Sequence, residues 1–563
     1  MRAGSVGSRY RAVLRRIFTF PLCFGLLVVA CEAGIVLLIQ HSAPLGTRWL
    51  GGTIQNTSDT AIYLSYIAQA AKHGLTFINP FAPELQHPRF DLVWSSLGAL
   101  VRLGMTPLLA YEVARWIFTL VLAFAVFAAA RSVSRTERDA KLATVLAFLG
   151  VGLGALYVAW LGAANMWIGH PFVGPDISSE FAIAPMLLGG PHILLSMALL
   201  ISAARFMWEA SARPESRNAW YATLCLAVLF TFHPYYVVLF VILFVLCVGA
   251  NRLYRRPKKL FRVSLVLALC GIPGAIIYLP LLSDPVFLGV HNAANILPLG
   301  AWYIWLVSLS PFICALLWRW RTRTVLRPEE RWLVAWLGAV VLSLLLPISW
   351  KRKLTEGADI GLVLLTMPVW MALREWVSRA TLGRFLAPLM LLMAGLAPLQ
   401  ILLSQLAWIS RADRQHWFYA PVSVFDGLEE IRTQTSSSAI VTSDNRWLNF
   451  WIPAYAERIS WLGHDMATTH FEEKTLAWNT LMGTQDPHLA DKILTTGGVT
   501  DVLATKAESV ERFRGLLEPM GWKIVWSETS STALFEPGSA LPSSSASSTI
   551  GAHAAFPESG HQN

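Results

Sequence analysis

The polar residues that could do chemistry stand between long apolar runs of this chain. Asp59 follows the first apolar run, and Lys351, Arg352 and Lys353 stand together in the segment 349–359 between two later ones. A carboxylate in such a place can accept a proton from a hydroxyl group, and an Arg–Lys cluster attracts an anionic group. Plainer roles stay open, because Asp59 is also a good helix N-cap and the cluster could serve only as an electrostatic anchor.

The segment 162–189 carries two carboxylates, Asp176 and Glu180, four positions apart. On a helix they would share one face, and with His170 or His192 nearby they could hold a divalent metal ion. Spacing alone does not distinguish such a site from a pair of solvated surface carboxylates. Both interpretations stay open at this point.

Two histidines, His192 and His233, each neighbour a proline at the end of an apolar run. A single such histidine is usually a hydrogen-bonded structural residue, whereas two that converge favour a polar pocket. Glu84, in the long polar stretch after the first run, joins Asp176, Glu180 and the two histidines as a candidate metal or substrate ligand.

Composition predicts repeated membrane helices. The 563 residues are 55% hydrophobic and 14% charged, with a mean hydropathy of +0.50. A soluble protein cannot bury that much apolar surface. The net charge of +10 does not indicate a nucleic-acid partner, because the basic residues concentrate in short loops between apolar runs, as membrane insertion requires.

The basic loops predict the topology of an α-helical polytopic membrane protein. Five basic segments should be cytoplasmic: 131–141, 205–218, 251–259, 319–331 and 374–384. Together with a cytoplasmic N-terminus they predict eleven spans: 17–40, 109–130, 142–161, 190–206, 218–232, 235–250, 262–282, 299–318, 332–348, 360–375 and 385–408. We expect a multi-pass protein of the inner (cytoplasmic) membrane, with 1–409 as its transmembrane domain. The run 218–250 must turn near Pro234, as a full hairpin or a re-entrant segment.

All the candidate residues then lie on the outer side. The large first outer loop, 41–108, should contain an amphipathic helix on the membrane surface that starts near Ser58 and Asp59, and an interfacial helix at 90–104. Lys351, Arg352 and Lys353 are an exception to the rule that basic clusters stay inside. Something anionic should hold them outside.

The C-terminal part differs in composition from the rest of the chain. The pattern of residues 410–537 predicts a small extracytoplasmic α/β domain. We expect a helix over 423–434 and strands near 438–443, 499–505, 521–528 and 532–537. His464, Asp465, Thr468 and His470 could line an edge of the site, although Asp465 is also a candidate helix cap. Residues 538–563 are of low complexity and predicted to be disordered.

The chain resembles polytopic glycosyltransferases of the GT-C superfamily in several stretches. These are "SDTAIYLSYI", "SSEF…GGPH", "FHPYY", "KRKLTEG" and "IPAYAERISWLGH". The resemblance implies a hexosyltransferase that uses a polyprenyl-phosphate-linked sugar and a glycan, lipid or protein acceptor. It implies that Asp59 is the catalytic base or a metal ligand, and that Lys351, Arg352 and Lys353 bind the lipid phosphate. Asp176 and Glu180 match the place of an acidic motif that helps bind a metal (Mg, Mn or Zn) in some members, without forming a strict DxD.

The alternative is a non-catalytic polytopic protein, either a transporter of lipid-linked saccharides or a scaffold for cell-envelope assembly. A transporter should carry ionisable residues at the midplane of its helices. In the sequence, the clearest intramembrane candidate is Arg115, near an outer helix end, while the other charges gather outside. This distribution favours surface chemistry.

Overall fold

The computed structural model describes residues 19–150 except 56, 85 and 86, then 152–156, 181–283, 288, 302–322, 326–379, 395–528 and 531–538. Asp176, Glu180 and His170 lie outside the described residues, as does the predicted disordered tail apart from Gly538. The proposed metal pair is therefore not tested by the structure.

Apolar helices build most of the chain up to residue 410. Several begin with a proline in the first turn, where the missing N–H costs nothing. The helices are α1 (Phe20–His41), α2 (Thr57–Lys72), α3 (Leu92–Arg102), α4 (Pro107–Val133), α5 (Glu137–Leu149), α6 (Ile183–Met186), α7 (Pro191–Ala212), α8 (Asn218–Phe230), α9 (Val237–Ala250), α10 (Pro257–Ala268), α11 (Gly271–Leu282), α12 (Trp302–Arg321), α13 (Arg331–Leu344), α14 (Ala358–Arg379) and α15 (Leu396–Ser410). Helix α4 packs along both α1 and α7.

By length and composition, six helices in the described part of the chain can cross a membrane, or seven if the bent pair α10 and α11 is one span. The predicted total of eleven is not reached there. Each predicted segment does contain a helix, but α8, α9, α13 and α15 have only 13 to 15 residues. At 1.5 Å per residue they are about 20 Å long, shorter than a hydrocarbon core of about 30 Å. The first part of the last predicted span, 385–394, lies outside the described residues.

Helix α2 is enclosed by protein, so the prediction that it lies on the membrane surface is wrong. Every residue from Thr57 to Ala71 is buried or half-buried. One side packs on α3, and another packs on α16 (Ile452–Tyr455), a short helix of the C-terminal part. The apolar face that predicted lipid contact is covered by these two elements instead.

The C-terminal part contains a five-stranded sheet with helices around it, in the strand order β4–β3–β5–β7–β6. Strands β4, β3 and β5 are parallel, whereas β7 is antiparallel to both β5 and β6. The strands of this sheet are β3 (Ile440–Ser443), β4 (Ile459–Ser460), β5 (Asp501–Ala504), β6 (Trp522–Glu528) and β7 (Thr532–Pro537). The helices are Val422–Gln434, Phe471–Gly483, Pro487–Thr496 and Ala507–Leu517. The four predicted strands are present, and β4 is an additional one.

The first loop and the C-terminal part are joined directly. Strand β1 (Thr47–Trp49) pairs antiparallel with β2 (Tyr419–Pro421). The Tyr455 hydroxyl donates a hydrogen bond to the Leu50 carbonyl at 2.6 Å, and the Asn79 amide donates to the Ala467 carbonyl at 2.8 Å. These contacts hold the C-terminal part against the first loop, where its short helix Ile452–Tyr455 packs on helix α2.

An ionic cluster lies between α1 and α4. Arg115 is fully buried, and its Nη1 donates to Oε2 of Glu112 at 3.0 Å. Glu32, also buried, accepts a hydrogen bond of 2.7 Å from the Thr119 hydroxyl. Burying charge inside apolar helices is costly unless it is paired, so this cluster is a strong constraint on how α1 and α4 pack.

We predict that Arg115→Met lowers the free energy of unfolding by about 3–5 kcal/mol, because it leaves the Glu112 carboxylate buried without its ion-pair partner. Equilibrium unfolding of the purified protein in mixed detergent micelles measures the change. The control is Arg131→Met in the same helix, where the side chain is 52% exposed and the cost should stay within about 1 kcal/mol. Equal stabilities for the two variants would contradict the prediction.

Candidate functional site

The carboxylate of Asp59 meets the ring of His464. Asp59 is the third residue of α2, and its Oδ1 lies 2.7 Å from Nε2 of His464, a residue 405 positions later in the chain. The His464 side chain is only 5% exposed, whereas that of Asp59 is 41% exposed. The carboxylate is therefore recessed against the C-terminal part and still open on one side.

The hydrogen bonds of His464 set the direction of this contact. The backbone N–H of Met466 donates to Nδ1 of His464 at 3.0 Å, so the neutral ring carries its proton on Nε2 and donates to Asp59. When the ring is doubly protonated, Nδ1 faces the Asp465 carboxylate at 3.1 Å. His464 can donate to Asp59 in both states.

Electrostatics keep the Asp59 carboxyl ionised. Burial alone would raise its pKa, but the hydrogen bond and charge of His464, with a smaller contribution from Lys353, lower the pKa below its usual value. Burial likewise opposes the charge on His464, yet the bond and charge of Asp59 and the charge of Asp465 raise its pKa. At neutral pH, Asp59 can therefore accept a proton.

Histidines and aromatic rings converge near Asp59. The Tyr63 ring, one turn along α2, stacks on Trp94 with centroids 4.3 Å apart, and its hydroxyl lies 3.4 Å from Nε2 of His192. The rings of His192 and His233 are 5.1 Å apart. Nδ1 of His233 lies 3.2 Å from the Ser196 hydroxyl, which fixes that ring. The two histidines separated in sequence thus do come together.

The basic cluster forms a short 3-10 helix, Lys351–Thr355. The Tyr236 hydroxyl donates to the Lys353 carbonyl at 3.1 Å and also to the Glu356 carboxylate, which holds this turn in place. The Lys353 ammonium lies 5.5 Å from the centre of the Tyr235 ring. Its positive charge is close enough to lower the pKa of Asp59.

Glu84 takes part in the docking of the C-terminal part. Its carboxylate accepts from the Thr469 hydroxyl and from the Lys474 ammonium, the latter at 3.2 Å. The structure thus groups Asp59, His192, His233 and Lys353, and it places Glu84 in a contact between the first loop and the helix Phe471–Gly483. Asp176 and Glu180 lie outside the described residues.

The described side chains around Asp59 do not form a metal site. Within the described residues, no group of three or more His, Cys, Asp or Glu side chains could hold a metal ion. Oδ1 of Asp59 accepts a hydrogen bond from Nε2 of His464. Among the described residues, the donor set around Asp59 therefore does not fit a metal.

Two features were missed in the sequence. His464 was predicted only to line an edge, and Asp465 was a candidate helix cap, but no helix begins at Asp465 and its carboxylate faces His464 instead. The contact with Asp59 has no local signal. The cluster of Glu32, Glu112 and Arg115 did have one, because Glu32 interrupts an apolar run and the other two are three positions apart on a helix.

Comparisons with known proteins give similarity of structure only. No protein-family model and no curated protein matches the sequence. The structure is similar to ArnT from Cupriavidus metallidurans bound to undecaprenyl phosphate, with 12% identity, a TM-score of 0.49 and coverage of 91% of this chain and 97% of that one. It is also similar to the archaeal oligosaccharyltransferase AglB from Archaeoglobus fulgidus, in complex with an inhibitory peptide and a dolichol-phosphate. There the identity is 15%, the TM-score 0.41 and the coverage 92% and 75%.

A second structure of the Archaeoglobus fulgidus oligosaccharyltransferase, a complex with Zn and sulfate, has 14% identity, a TM-score of 0.42 and coverage of 91% and 73%. All these TM-scores are below 0.5, so these similarities do not assign a function to the chain.

We predict that His464→Ala destabilises the protein most between about pH 4 and pH 6.5. The contribution of Asp59 is present above its ordinary pKa of 3.8 and is lost as the pH falls through its lowered folded pKa. The contribution of His464 is present below its ordinary pKa of 6.5 and is lost as the pH rises through its raised folded pKa.

Thermal unfolding across a pH series measures this effect as the difference in Tm between the wild type and the variant. The control is His488→Ala, because His488 is exposed on the helix Pro487–Thr496. A difference in Tm that stays the same well above pH 7 would count against a charged Asp59–His464 pair.

Proposed function

We propose that the protein transfers a hexose from a polyprenyl-phosphate-linked donor to an acceptor hydroxyl at the outer face of the membrane. The observation that carries this proposal is the ionised, half-open Asp59 carboxylate, held by His464 within electrostatic reach of Lys353. An accepting carboxylate and a basic cluster are the two groups that such a transfer needs, one for the incoming hydroxyl and one for the leaving phosphate.

The reaction is a single displacement at the anomeric carbon. The acceptor oxygen forms a bond to that carbon as its proton passes to the Asp59 carboxylate. The bond between the anomeric carbon and the phosphate oxygen breaks, and its electron pair leaves with the polyprenyl phosphate. Lys351, Arg352 and Lys353 offset the negative charge that grows on the leaving group, Arg352 through a two-pronged contact and the lysines as point charges.

His464 acts as a positioning residue in this scheme. It donates to Oδ1 of Asp59 at 2.7 Å, which fixes the orientation of the carboxylate that receives the proton of the acceptor hydroxyl. Since the same bond lowers the pKa of Asp59, His464 also keeps the base unprotonated between turnovers.

The orientation follows from the basic loops. With five basic segments in the cytoplasm, Asp59, the cluster and the C-terminal part all lie outside. The C-terminal part then forms an extracytoplasmic domain that supplies His464 to the site and lies beside the path of the acceptor.

The ionic cluster inside the membrane region favours a second candidate function. Glu32, Glu112 and Arg115 are buried together between α1 and α4, which is the kind of intramembrane charge expected of a transporter of lipid-linked saccharides. Transfer chemistry that depends on Asp59 would decide in favour of the enzyme, and saccharide-lipid flux without transfer would decide for the transporter.

We predict that Asp59→Asn lowers the rate of sugar transfer by about 100- to 10,000-fold, because the amide can still bond to His464 but cannot take a proton. The purified protein is given a panel of polyprenyl-phosphate-linked hexoses, with a membrane extract as the source of acceptors, and the release of polyprenyl phosphate is followed. Asp426→Asn, at an exposed position of the helix Val422–Gln434, is the matched control. Unchanged transfer by Asp59→Asn would remove Asp59 from its role.

We predict that Lys353→Ala lowers kcat by about 100-fold, because a charge that stabilises the leaving phosphate is lost, and that Lys353→Arg keeps part of the activity. Lys258→Ala, an exposed residue in a predicted cytoplasmic loop, is the control. The assay is run in vesicles with and without anionic lipid. A loss that appears only in anionic vesicles would mean that the cluster merely attracts lipid headgroups.

A further inference from the structure

Helix α7 begins within the histidine cluster. It runs for 22 residues from Pro191, and His192 is its second residue. The N-terminus of a helix of this length carries a partial positive charge, which favours an anion. A helix N-terminus alone does not define a site, so the side chain of His192 is the decisive observation.

One ring nitrogen of His192 has no partner. The residue is 7% exposed, and its Nδ1 makes no hydrogen bond in the structure as described. A buried polar atom left unpaired is costly and needs an explanation. The other nitrogen, Nε2, faces the Tyr63 hydroxyl at 3.4 Å. With Tyr63 donating to Nε2, the neutral ring carries its proton on Nδ1 and offers it to a ligand.

The charges around His192 define the sign of that ligand. The Lys353 ammonium lies 5.5 Å from the centre of the Tyr235 ring, which is 5.1 Å from the ring of His233. The His233 ring is in turn 5.1 Å from that of His192. His233, the neighbouring ring, is engaged by Ser196, so its Nδ1 does not compete for the ligand. A cation, a helix N-terminus and a buried N–H donor together favour an anion.

We propose that His192 contacts the leaving group, with its Nδ1–H donating a hydrogen bond to a phosphate oxygen alongside Lys353 and the N-terminus of α7. This inference rests on the proposed function and extends it by one residue. The proton stays on Nδ1 throughout, so His192 stabilises the developing charge without acting as an acid. The ligand of His192 is a phosphate oxygen of a monoester or diester, and the isoprenoid chain is bound elsewhere.

The test is the binding of farnesyl phosphate to the purified full-length protein by isothermal titration calorimetry. Two variants separate ring shape from the donor. In His192→Phe the ring remains but the N–H is absent, and we expect Kd to rise about tenfold or more, as for a lost hydrogen bond to a charged group. In His192→Asn the amide nitrogen takes the place of Nδ1, and we expect most of the affinity to return. His488→Phe, at an exposed histidine, is the control.

Further ligands and variants distinguish a failure of the proposed His192 role from a failure of the proposed function. Farnesol should bind weakly to every variant, and inorganic phosphate should compete with farnesyl phosphate in the wild type but not in His192→Phe. Wild-type affinity in His192→Phe together with loss in Lys353→Ala overturns the role of His192 and leaves the proposed function standing. Wild-type affinity in both variants overturns the phosphate site of the proposed function itself. If His192→Phe does not fold, His192→Gln replaces it, because its amide nitrogen reaches the Nε2 position.

Discussion

The hydrogen bond between Asp59 and His464 is the interaction on which the site depends. It joins two residues 405 positions apart, so neither the membrane helices nor the C-terminal part contains a complete site. The antiparallel pair β1–β2 and the bonds of Tyr455 and Asn79 to the opposite segment hold the two parts in register. Closing so long a loop is entropically costly, and the number of contacts along this junction compensates for it.

Charge burial explains where polar side chains occur. Within the described helices, Arg115 is paired with Glu112 and Arg319 with Glu330, because an uncompensated buried charge is costly. At the N-terminal ends of α2 and α7 the pattern changes. Asp59 is ionised and half-open, and His192 leaves a buried nitrogen unsatisfied. Such incomplete satisfaction is typical of a surface built to receive a ligand.

Much of the fold was predictable because it has local causes. Each of the eleven predicted apolar segments contains a helix, and the strands Ile440–Ser443 and Thr532–Pro537 fall where alternation and β-branched residues indicated them. The turn of the run 218–250 near Pro234 was predicted, but hydropathy alone did not predict that the two helices there have only 13 and 14 residues, too few to cross a hydrocarbon core of about 30 Å. The position of α2 was misjudged for a similar reason. An amphipathic pattern predicts that a helix has a covered face, but not whether lipid or protein covers it.

The sequence by itself determined the apolar segments, the basic segments between them and the cluster of Lys351, Arg352 and Lys353. Those features depend on composition and short-range periodicity, which any stretch of chain carries on its own. Only the tertiary structure decided that His464 is the partner of Asp59, that Glu84 is engaged by Lys474, and that His192 and His233 meet beside Tyr63. Each of these contacts joins segments distant in the chain, and a pairing of that kind leaves no periodic trace in either segment.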